Sequence, residues 1–536
     1  MTKLASVLFI CAAFAVIPSA TYAQKLQVAA YYPEWGVEHQ RYLAKDLQEN
    51  GAARKLTVLL YAFSEPGPDS AGNIEPNFKN AYEAYQQVYS DSMSVDGVAD
   101  DSTQPLRGQF NQIRELKERY PNLKVLISIG GWSGSAYFSD AFLTPQSREK
   151  FADAIIGRYI LGNLPVQNGA GGKGAAAGIF DGIDIDWEYP LGGGMPGNHY
   201  NVNDRNNLTD FYALMRAKLD SINPKLMLTA AVPSSENNAS HYNIKADEKY
   251  LNWYNLMTYD YAGEWSGVTN HHANLLASPE DTSAVPQSFD SSVRYYIDSL
   301  GVDSRKIVPG AAFYGHGWTG VAPADFGLYQ LAGGPVSNTA QGGSSLYSYI
   351  STLASKRFVY HWDTLAMAPS LYNPTDSVFW SYDDAKSISL KYHYVRAYNL
   401  GGLMCWEISG DDSAGTLVTA MATGKMPGGA VVHRPAGKSR PRIKVVTPGR
   451  SADFKAGSNV IINTVVSDEG GKIVRVGFYV DGKSIGYDTI APFDWVWFNI
   501  TRGKHEIRAV GMDNNGAVAS ASVVVSVKSS SPGKGR

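Results

Sequence analysis

Eight short apolar runs, rich in β-branched residues, constrain the fold of this chain more than any other feature of its sequence. Most of them are separated by segments with helical periodicity, such as residues 109–119 and 207–219. Strand and helix alternating eight times predict a closed parallel (β/α)8 barrel, whose strands are buried on both faces and are therefore continuously apolar. The predicted strands are residues 26–31, 56–63, 124–129, 179–188, 226–231, 254–259, 307–313 and 402–407.

The fourth predicted strand carries three acids at alternate positions, Asp184, Asp186 and Glu188. Because alternate side chains of a strand share a face, the three carboxyls lie on one side, with successive ones on the order of 6–7 Å apart. Like charges this close in a partly desolvated place cannot all be ionised, so at least one carboxyl holds a proton at neutral pH. Glu188 comes last in the strand, and in a barrel the chemistry takes place at the carboxyl ends of the strands. The pattern indicates acid catalysis.

Two other structures share this pattern of acids. Acidic and apolar residues alternate in any half-exposed surface strand, and the spacing Asp-x-Asp-x-Glu also begins an EF-hand calcium loop. The calcium loop is excluded because its sixth and twelfth positions are Tyr189 and Met195 rather than Gly and Glu. The flanking Gly182 and Trp187 favour a strand covered by helices over a surface strand.

Aromatic and polar side chains follow the other predicted strands at the same end. Each has a structural explanation on its own, since a Gly-Gly pair is usually a turn and a single Trp is often core. Together they predict one rim of aromatic and hydroxyl groups around the acids of the fourth strand. The residues at these strand ends are Tyr31, Tyr32, Trp35, Tyr61, Phe63, Ser64, Ser128, Trp132, Met257, Tyr259, Asp260, Trp265, Phe313, Tyr314, Trp406 and Glu407.

The spacing Asp-x-x-Asp-x-Asp-x-Glu, formed by Asp181, Asp184, Asp186 and Glu188, resembles the signature of glycoside hydrolase family 18, the retaining chitinases. The Ser-x-Gly-Gly of strand three, the Met-x-Tyr-Asp of strand six and the Trp of strand eight resemble further motifs of this family. The chain is similar to the bacterial subfamily A chitinases of the Bacillus type over residues 24–423. An extra stretch at 316–382 resembles the small α+β insertion that walls one side of their cleft.

The resemblance implies a secreted enzyme that hydrolyses the β-1,4 linkages of chitin and chito-oligosaccharides with retention of configuration and without a cofactor or metal. Glu188 is expected to be the general acid, and the substrate's own 2-acetamido group the nucleophile. Asp186 would orient that group, Asp184 would share a proton with Asp186, and Tyr259 would hold the acetamide oxygen.

The resemblance also implies roles for residues around the reacting sugar. Asp181 has the opposite strand parity to the catalytic acids and is expected, with Ser128, to be structural. His316 departs from the family pattern, because relatives often have Arg there, and no role is carried over to it. The residues expected to bind substrate are Trp406, as the floor under the sugar, and Tyr32, Trp132, Met257, Asp260, Trp265, Tyr189 and Tyr314.

Two other functions are compatible with such a barrel. An endo-β-N-acetylglucosaminidase acting on N-glycan cores uses similar carboxylates, but a walled cleft better suits a long linear polymer. A chitin-binding lectin without activity could share the barrel, but such lectins typically lack the last acid of the motif. The presence of Glu188 with Asp184 and Asp186 favours the enzyme.

The start of the chain is typical of an exported protein. Residues 1–23 combine Lys3, an apolar run and a small-residue exit at Ala23, which predicts a signal peptide cleaved before Gln24 and a secreted (extracellular or periplasmic) product. Such cleavage leaves Cys405 as the remaining cysteine, so no internal disulfide is expected. The net charge of −3 gives no electrostatic argument for binding nucleic acid. No membrane anchor is predicted, and we expect a monomer.

The composition changes after residue 423. Residues 424–442 are rich in Gly, Pro, Lys and Arg without periodicity, which predicts a linker. Residues 443–530 alternate in short runs divided by turn signals, which predicts an antiparallel β-sandwich that resembles bacterial Ig-like modules. Trp495, Trp497 and Phe498 could face chitin, although a buried sandwich core is the favoured interpretation. The predicted strands are residues 460–466, 474–480, 495–500, 506–510 and 519–527.

Overall fold

A computed structural model describes residues 26–337, 339, 342–354, 356–426, 441–468, 471–514 and 518–529. The predicted signal peptide 1–23 and residues 427–440 of the predicted linker lie outside the described residues. Within the described ranges, no helix combines the length and the apolar character that crossing a bilayer requires.

Eight parallel strands form a closed barrel, which confirms the fold and all eight predicted strands. Each strand pairs with its neighbours in chain order, and the ring closes because the first strand pairs with both the second and the eighth. Non-proline cis peptides follow Ala62, Glu188 and Trp406. The strands are β1 (Gln27–Pro33), β2 (Val58–Pro68), β3 (Lys124–Gly130), β4 (Gly182–Asp186), β5 (Met227–Pro233), β6 (Tyr254–Met257), β7 (Ile307–Ala312) and β8 (Gly402–Trp406).

The alternation along β4 directs apolar side chains to the outside of the barrel and acids to its inside. Trp187, immediately after the strand, packs outwards against Phe138 and Phe142 of one helix, with ring centroids 5.4 and 5.6 Å apart. Asp184 and Asp186 have the opposite parity and therefore point into the barrel. The apolar layer outside the barrel thus fixes the direction of the acids inside it.

Helices cover the outside of the barrel. Helix Pro145–Ile155 begins at a capping box in which Thr144 accepts from the backbone N–H of Ser147, and a proline occupies its first turn. Asp384 caps helix Ala385–Ala397 in the same way. The other α-helices of the barrel are Ala44–Glu49, Gly108–Arg119, Phe138–Phe142, Asp204–Ile222, Glu236–Ala239, Ile244–Asp247, Phe289–Arg294 and Thr416–Thr423, and single π-turns lie at Gly36–Gln40, Tyr82–Gln86, Ile156–Ile160 and Tyr295–Ser299.

The sequence predicts a long polar loop over residues 64–109, rich in Asp, Ser and Gly, but the segment after β2 begins differently. β2 runs on to Pro68 and forms an antiparallel hairpin with Ile74–Phe78. Asp69 makes the turn, because its carboxylate accepts from the backbone N–H groups of Ala71 and Asn73. Prolines hid this hairpin in the sequence, since they are read as strand breakers although edge strands tolerate them.

An antiparallel α+β insertion follows β7 directly, as predicted. Its first strand, Tyr314–Thr319, begins two residues after β7 ends, so the insertion is tied closely to the mouth of the barrel. Helix Tyr347–Leu353 packs on this sheet. The remaining strands are Gly334–Pro335, Ser344–Leu346, Val359–Asp363, Ala368–Asn373 and Val378–Tyr382.

The C-terminal region is a two-sheet sandwich, as predicted. Trp495 is fully buried between the sheets and stacks on Phe478 with ring centroids 6.0 Å apart, and Phe498 is also buried. Trp497 is partly exposed. One sheet contains Arg442–Thr447, Val460–Ser467 and Asp494–Trp497, and the other contains Asp453–Lys455, Val518–Lys528, Gly503–Asp513, Ile473–Val480 and Lys483–Asp488.

A buried ionic cluster joins the sandwich to the barrel. Lys386 of helix Ala385–Ala397 places Nζ 3.0 Å from Asp488 Oδ2 and 3.1 Å from Asp494 Oδ1 of the sandwich. The same ammonium lies 4.0 Å from the ring centroid of Trp362 in the insertion. Trp362 in turn donates from Nε1 to Asp494 Oδ2 over 3.2 Å. Barrel, insertion and sandwich therefore meet at one lysine.

Candidate active site

Asp184 is the deepest of the three acids and is held by four neutral donors. Its Oδ2 accepts from Tyr31 Oη at 3.0 Å and Ser128 Oγ at 2.8 Å. Its Oδ1 accepts from Thr229 Oγ1 at 2.5 Å and Asn255 Nδ2 at 3.0 Å. Burial raises the pKa of Asp184, while these hydrogen bonds oppose the rise because they favour the charged carboxylate. The donors come from β1, β3, β5 and β6, so the closed barrel itself builds this cage.

Asp186 lies one pleat closer to the mouth and is incompletely paired. Its Oδ1 is buried and has no hydrogen-bond partner within the described part of the chain. Burial first, and then the charges of Glu188 and Asp184, raise its pKa well above the ordinary value. Burial beside two other carboxyls therefore favours the protonated form of Asp186, and its Oδ1 is free to bind a ligand.

Glu188 lies at the carboxyl end of the acid row and is 9% exposed. Burial raises its pKa to about 7, although a hydrogen bond with Tyr189 acts in the opposite direction. Its backbone is fixed on both sides, because its N–H donates to Ser135 Oγ over 2.9 Å and its carbonyl accepts from Asn198 Nδ2 over 2.8 Å. A carboxyl with a pKa near 7 can both donate and accept a proton under neutral conditions.

Tyr259, two residues beyond β6, faces the acids from across the barrel. Its hydroxyl contacts Met404 Sδ at 3.9 Å, a weak acceptor that leaves the O–H available to a ligand. The ring lies directly on the backbone of β7: a Cβ at Gly310 would come within 2.5 Å of Tyr259 Cε1. Glycine at 310 is therefore needed to place the tyrosine.

Trp406, the last residue of β8, forms the centre of an aromatic floor. It stacks on Phe63 at 5.6 Å with the ring planes 18° apart. The rings of Tyr31 and Trp35 lie 5.5 and 6.1 Å away. The indole is only partly buried, which leaves an open apolar surface beside the acids.

Residues 27–411 match the family model for glycosyl hydrolases family 18, and residues 441–509 match that for the bacterial Ig domain. The chain belongs to glycosyl hydrolases family 18. The family match covers all eight strands of the barrel and the insertion, and so it includes the acids of β4 and the aromatic floor.

Known members of the family resemble this chain over its barrel. Chitinase A1 of Niallia circulans is 33% identical over 429 residues, which are 74% of this chain and 58% of that protein. Chitinase C of Streptomyces lividans is 33% identical over 400 residues, which are 72% of this chain and 57% of that protein. The chain thus spans less than two thirds of the length of these relatives.

A solved structure supports the same similarity. The catalytic domain of psychrophilic chitinase B from Arthrobacter TAD20 aligns with a TM-score of 0.70 and 35% identity, over 75% of this chain and 95% of that domain. A Group IV chitinase of Ostrinia furnacalis in complex with allosamidin aligns with a TM-score of 0.59 and 26% identity, over 75% of this chain.

The family 18 barrel places Asp260 next to the acids, in contact with the insertion. Its carboxylate accepts from the Tyr314 hydroxyl and lies 2.9 Å from His316 Nε2. Burial would raise the pKa of Asp260, but His272 and His316 lower it well below its usual range. Burial would likewise lower the pKa of His316, but Asp260 and Glu264 outweigh it and raise the pKa to about 9.

The other predicted substrate-binding residues divide into two groups. Trp132 and Trp265 are 53% and 61% exposed, so their rings are open to a ligand at the rim. Met257 and Tyr189 are partly buried, the first against the apolar interior of the barrel and the second beside Glu188. The structure brings all four to the mouth of the barrel.

Tyr32 does not line the cleft, and its predicted role in substrate binding is therefore wrong. It is 1% exposed and packs outside the barrel, against Tyr42 and Tyr61 at 6.3 Å, instead of facing the cleft. The strand parity is the reason, because Tyr31 points inwards to Asp184 and its neighbour must point outwards.

Asp181 lies away from the cleft, at the amino end of β4. It pairs with Lys117 and Lys124 and accepts from the backbone N–H of Val125. Ser128, expected to be structural, instead donates directly to Asp184. The structure therefore places Ser128 closer to the reacting groups than predicted.

Sequence reasoning missed several side chains that shape the site. They occupy ordinary strand or loop positions, so the sequence around most of them does not indicate a place in the site. Tyr31 and Phe63 belong to the predicted rim, but the sequence assigned them no role. The missed residues are Ser135, Thr229, Asn255, Glu264 and His272.

Proposed function

We propose that the chain is a chitinase that cleaves β-1,4 linkages between N-acetylglucosamine units with retention of configuration. One observation carries the proposal: a buried carboxyl with a pKa of about 7, Glu188, stands beside a carboxyl with an unpaired oxygen, Asp186. The first suits proton transfer to a leaving oxygen. The second suits a polar group of the substrate.

In the first step Glu188 donates its proton to the oxygen that links two sugars, and the bond from that oxygen to the anomeric carbon breaks. A pKa near 7 keeps this acid protonated below neutral pH while leaving it acidic enough to transfer its proton. The backbone of Glu188 donates to Ser135 Oγ and accepts from Asn198 Nδ2, and these two hydrogen bonds hold the carboxyl at the mouth of the barrel during this step.

The internal nucleophile is the carbonyl oxygen of the 2-acetamido group, which attacks the anomeric carbon and forms an oxazolinium ion. Asp186 accepts a hydrogen bond from the acetamide N–H and stabilises the positive charge that develops on the ring. The Tyr259 hydroxyl, whose partner among the described residues is the weak thioether acceptor of Met404, donates to the acetamide oxygen.

Asp184 is a positioning group and not a nucleophile. Two hydrogen bonds saturate each of its oxygens, and it lies two pleats below Glu188. Its negative charge raises the pKa of Asp186, so the pair shares one proton near neutral pH.

Water completes the reaction. Glu188, now ionised, accepts a proton from a water molecule that attacks the anomeric carbon on the face left by the first sugar. The oxazolinium ring opens, the acetamide is regenerated, and the product keeps the β configuration. Acid and base are thus the same residue in successive steps.

Aromatic and polar side chains would bind the polymer around this centre. Trp406 offers its partly open ring beneath the reacting sugar, with Phe63 and Trp35 supporting it from behind. Other proposed contacts along the cleft are Trp132, Trp265, Met257, Tyr189, Tyr314 and Asp260.

We propose the same overall organisation as the sequence analysis. Residues 1–23 are a signal peptide that exports the protein, 24–423 the catalytic barrel, 424–442 a linker and 443–530 the Ig-like sandwich. The family's relatives named chitinases support chitin and chito-oligosaccharides as partners, and we propose that the protein acts as a monomer without a membrane anchor.

Four measurements test this function. We expect soluble oligomers from colloidal chitin, no release of glycan from a high-mannose glycoprotein, and proton NMR of early product showing the β anomer. An oligomer deacetylated at the reacting sugar should not turn over, because its nucleophile is missing. Early α anomer, or turnover of the deacetylated substrate, would exclude the mechanism, and glycan release alone would favour the glycosidase.

A further inference from the structure

A cluster of metal-binding side chains lies beside the acids of β4. Asp260 follows β6, His272 lies in the loop after it, and His316 belongs to the insertion strand Tyr314–Thr319. Asp260 Oδ1 is 2.9 Å from His316 Nε2 and 3.8 Å from His272 Nδ1. One ligand atom of each residue lies within 4.8 Å of the other two.

We propose that Asp260, His272 and His316 bind one divalent transition-metal ion, with Zn²⁺ as the representative, and that the bound ion inhibits the enzyme. Two ligands at about 2.0–2.1 Å on a tetrahedral Zn²⁺ stand roughly 3.4 Å apart. The observed 2.9 and 3.8 Å lie on either side of this separation, and the third pair of ligand atoms lies within 4.8 Å.

His272 gives an independent reason for a ligand here. Its side chain is fully buried, and within the described residues neither ring nitrogen has a hydrogen-bond partner. Its contact with Asp260, at 3.8 Å, is too long for a hydrogen bond. The backbone is nonetheless fixed, because the His272 N–H donates to Ser381 Oγ over 2.9 Å. A buried imidazole held in place without a partner is costly unless something binds it.

Glu264 supplies the supporting contact that metal-binding histidines usually have. Its Oε2 lies 2.9 Å from Nδ1 of His316, on the opposite side of the ring from Asp260. Within the described residues neither of these two atoms meets hydrogen-bond geometry, so Glu264 is a close carboxylate neighbour of the ring. A turn of the ring that directs an Nδ1 proton at Glu264 leaves the lone pair of Nε2 for the metal.

The ligand set selects the kind of ion. Two imidazole nitrogens and one carboxylate oxygen suit Zn²⁺, Co²⁺, Ni²⁺ or Cu²⁺, whereas Ca²⁺ and Mg²⁺ prefer oxygen ligands alone. Asp260 is the shared element, because it is also a proposed substrate contact. The binding site rests on geometry alone, while the inhibition rests on the proposed function.

The binding test uses the protein without a histidine tag, titrated with ZnCl₂ by calorimetry and with CoCl₂ by visible absorption. We expect one equivalent of metal and the intense visible bands of tetrahedral cobalt. His272→Asn and His316→Gln should each abolish this binding, and Glu264→Gln should weaken it roughly 10- to 100-fold. His199→Asn, which alters an exposed histidine beside Asp140, is the matched control and should bind as the wild type does.

Three results would overturn the site: no stoichiometric binding to the wild type, binding that survives both histidine variants, or loss of binding in His199→Asn. Thermal unfolding of each variant shows that it is folded. Anomalous diffraction from zinc-soaked crystals gives a second answer that does not depend on any variant, because it places the ion on these three side chains or elsewhere.

Inhibition is measured separately, as the effect of one equivalent of Zn²⁺ on chito-oligosaccharide hydrolysis. We expect KM to rise and activity to return when a chelator removes the metal. Binding without inhibition would leave the site intact but contradict the role proposed for Asp260. Absence of chitinase activity in the metal-free protein would instead contradict the proposed function.

Discussion

The cleft and the contact between barrel and sandwich both bury carboxylates, but they compensate for burial in different ways. In the cleft the donors to Asp184 are all neutral, and the charges acting on Asp186 are those of other carboxylates. At the contact, Lys386 lies between Asp488 and Asp494. Protons must therefore neutralise the negative charge of the acids in the cleft, whereas a fixed cation neutralises that of the carboxylates at the contact.

This difference distinguishes reactive carboxyls from carboxylates that serve only the structure. A proton can leave and return during a reaction, so the carboxyls of the cleft remain reactive. A lysine ammonium cannot leave the contact without unfolding it, and so Asp488, whose pKa burial still raises to about 6 against the opposing effect of Lys386, remains a structural group. Burial alone therefore does not mark an active carboxylate; the nature of its compensating partner does.

The largest effect is expected from Glu188→Gln, which removes the mobile proton but keeps the shape of the side chain. Turnover of chito-oligosaccharides should fall on the order of 10³-fold or more, because general acid and general base catalysis are both lost. Calorimetric binding of the oligomer should remain within a few-fold.

Glu118→Gln is the matched control, since Glu118 is exposed on helix Gly108–Arg119, and its turnover should equal that of the wild type. Substantial residual turnover in Glu188→Gln would show that another group supplies the proton.

The second expectation concerns Lys386, the cation at the contact between barrel and sandwich. Lys386→Met leaves two buried carboxylates without their partner and should lower the free energy of unfolding by about 3–5 kcal/mol. Lys528→Met is the matched control, because Lys528 pairs with Asp453 on the surface and its loss should cost below about 1 kcal/mol.

Urea denaturation of both lysine variants measures the difference. Equal losses in the two would mean that the contact between barrel and sandwich does not depend on its buried ion cluster.

The third expectation uses pH. The pKa of Glu188 is about 7 in the folded protein against an ordinary value of 4.5, so folding favours its protonated form. The stability that this carboxyl contributes is fully present below pH 4.5 and is lost as pH rises through 7. Glu188→Gln cannot ionise, so its stability relative to the wild type should improve by about 3 kcal/mol between pH 4.5 and 8.

Denaturation midpoints at several pH values follow this difference. In Glu118→Gln, where the altered side chain is exposed, the offset from the wild type should be the same at every pH. A constant offset in Glu188→Gln as well would contradict the raised pKa.

The smallest effect is expected at the rim. Trp132→Ala should raise KM for long oligomers roughly 3- to 10-fold, because an open ring that covers a sugar contributes only its own apolar contact. Stability should not change, since the side chain is 53% exposed. Trp132→Phe keeps a flat ring, so its KM should lie between those of the wild type and Trp132→Ala. An unchanged KM in Trp132→Ala would show that the polymer does not contact this ring.

Much of the fold and the centre of the site follow from periodicity. The apolar runs locate all eight strands, and the period of two aligns Asp184, Asp186 and Glu188 on one face. The same period did not decide which of Tyr31 and Tyr32 faces the cleft, because two adjacent tyrosines fit the strand equally well whichever of them points inwards. Only the contact of Tyr31 with Asp184 fixes that phase.

Partners that are far apart in the sequence could not be predicted. Thr229 and Asn255 lie 45 and 71 residues from Asp184 and look like ordinary strand residues until the barrel closes. Lys386 meets Asp494 through a contact that no local pattern encodes. His272 and His316 likewise come together only because the insertion folds back over the loop that follows β6.

The lysine shared by three parts of the molecule limits how such genes can be recombined. An Ig-like module that lacks acids at positions 488 and 494 would leave the ammonium of Lys386 buried without a counter-charge beside Trp362. Exchange of this module would therefore call for a matching change at position 386 of the barrel.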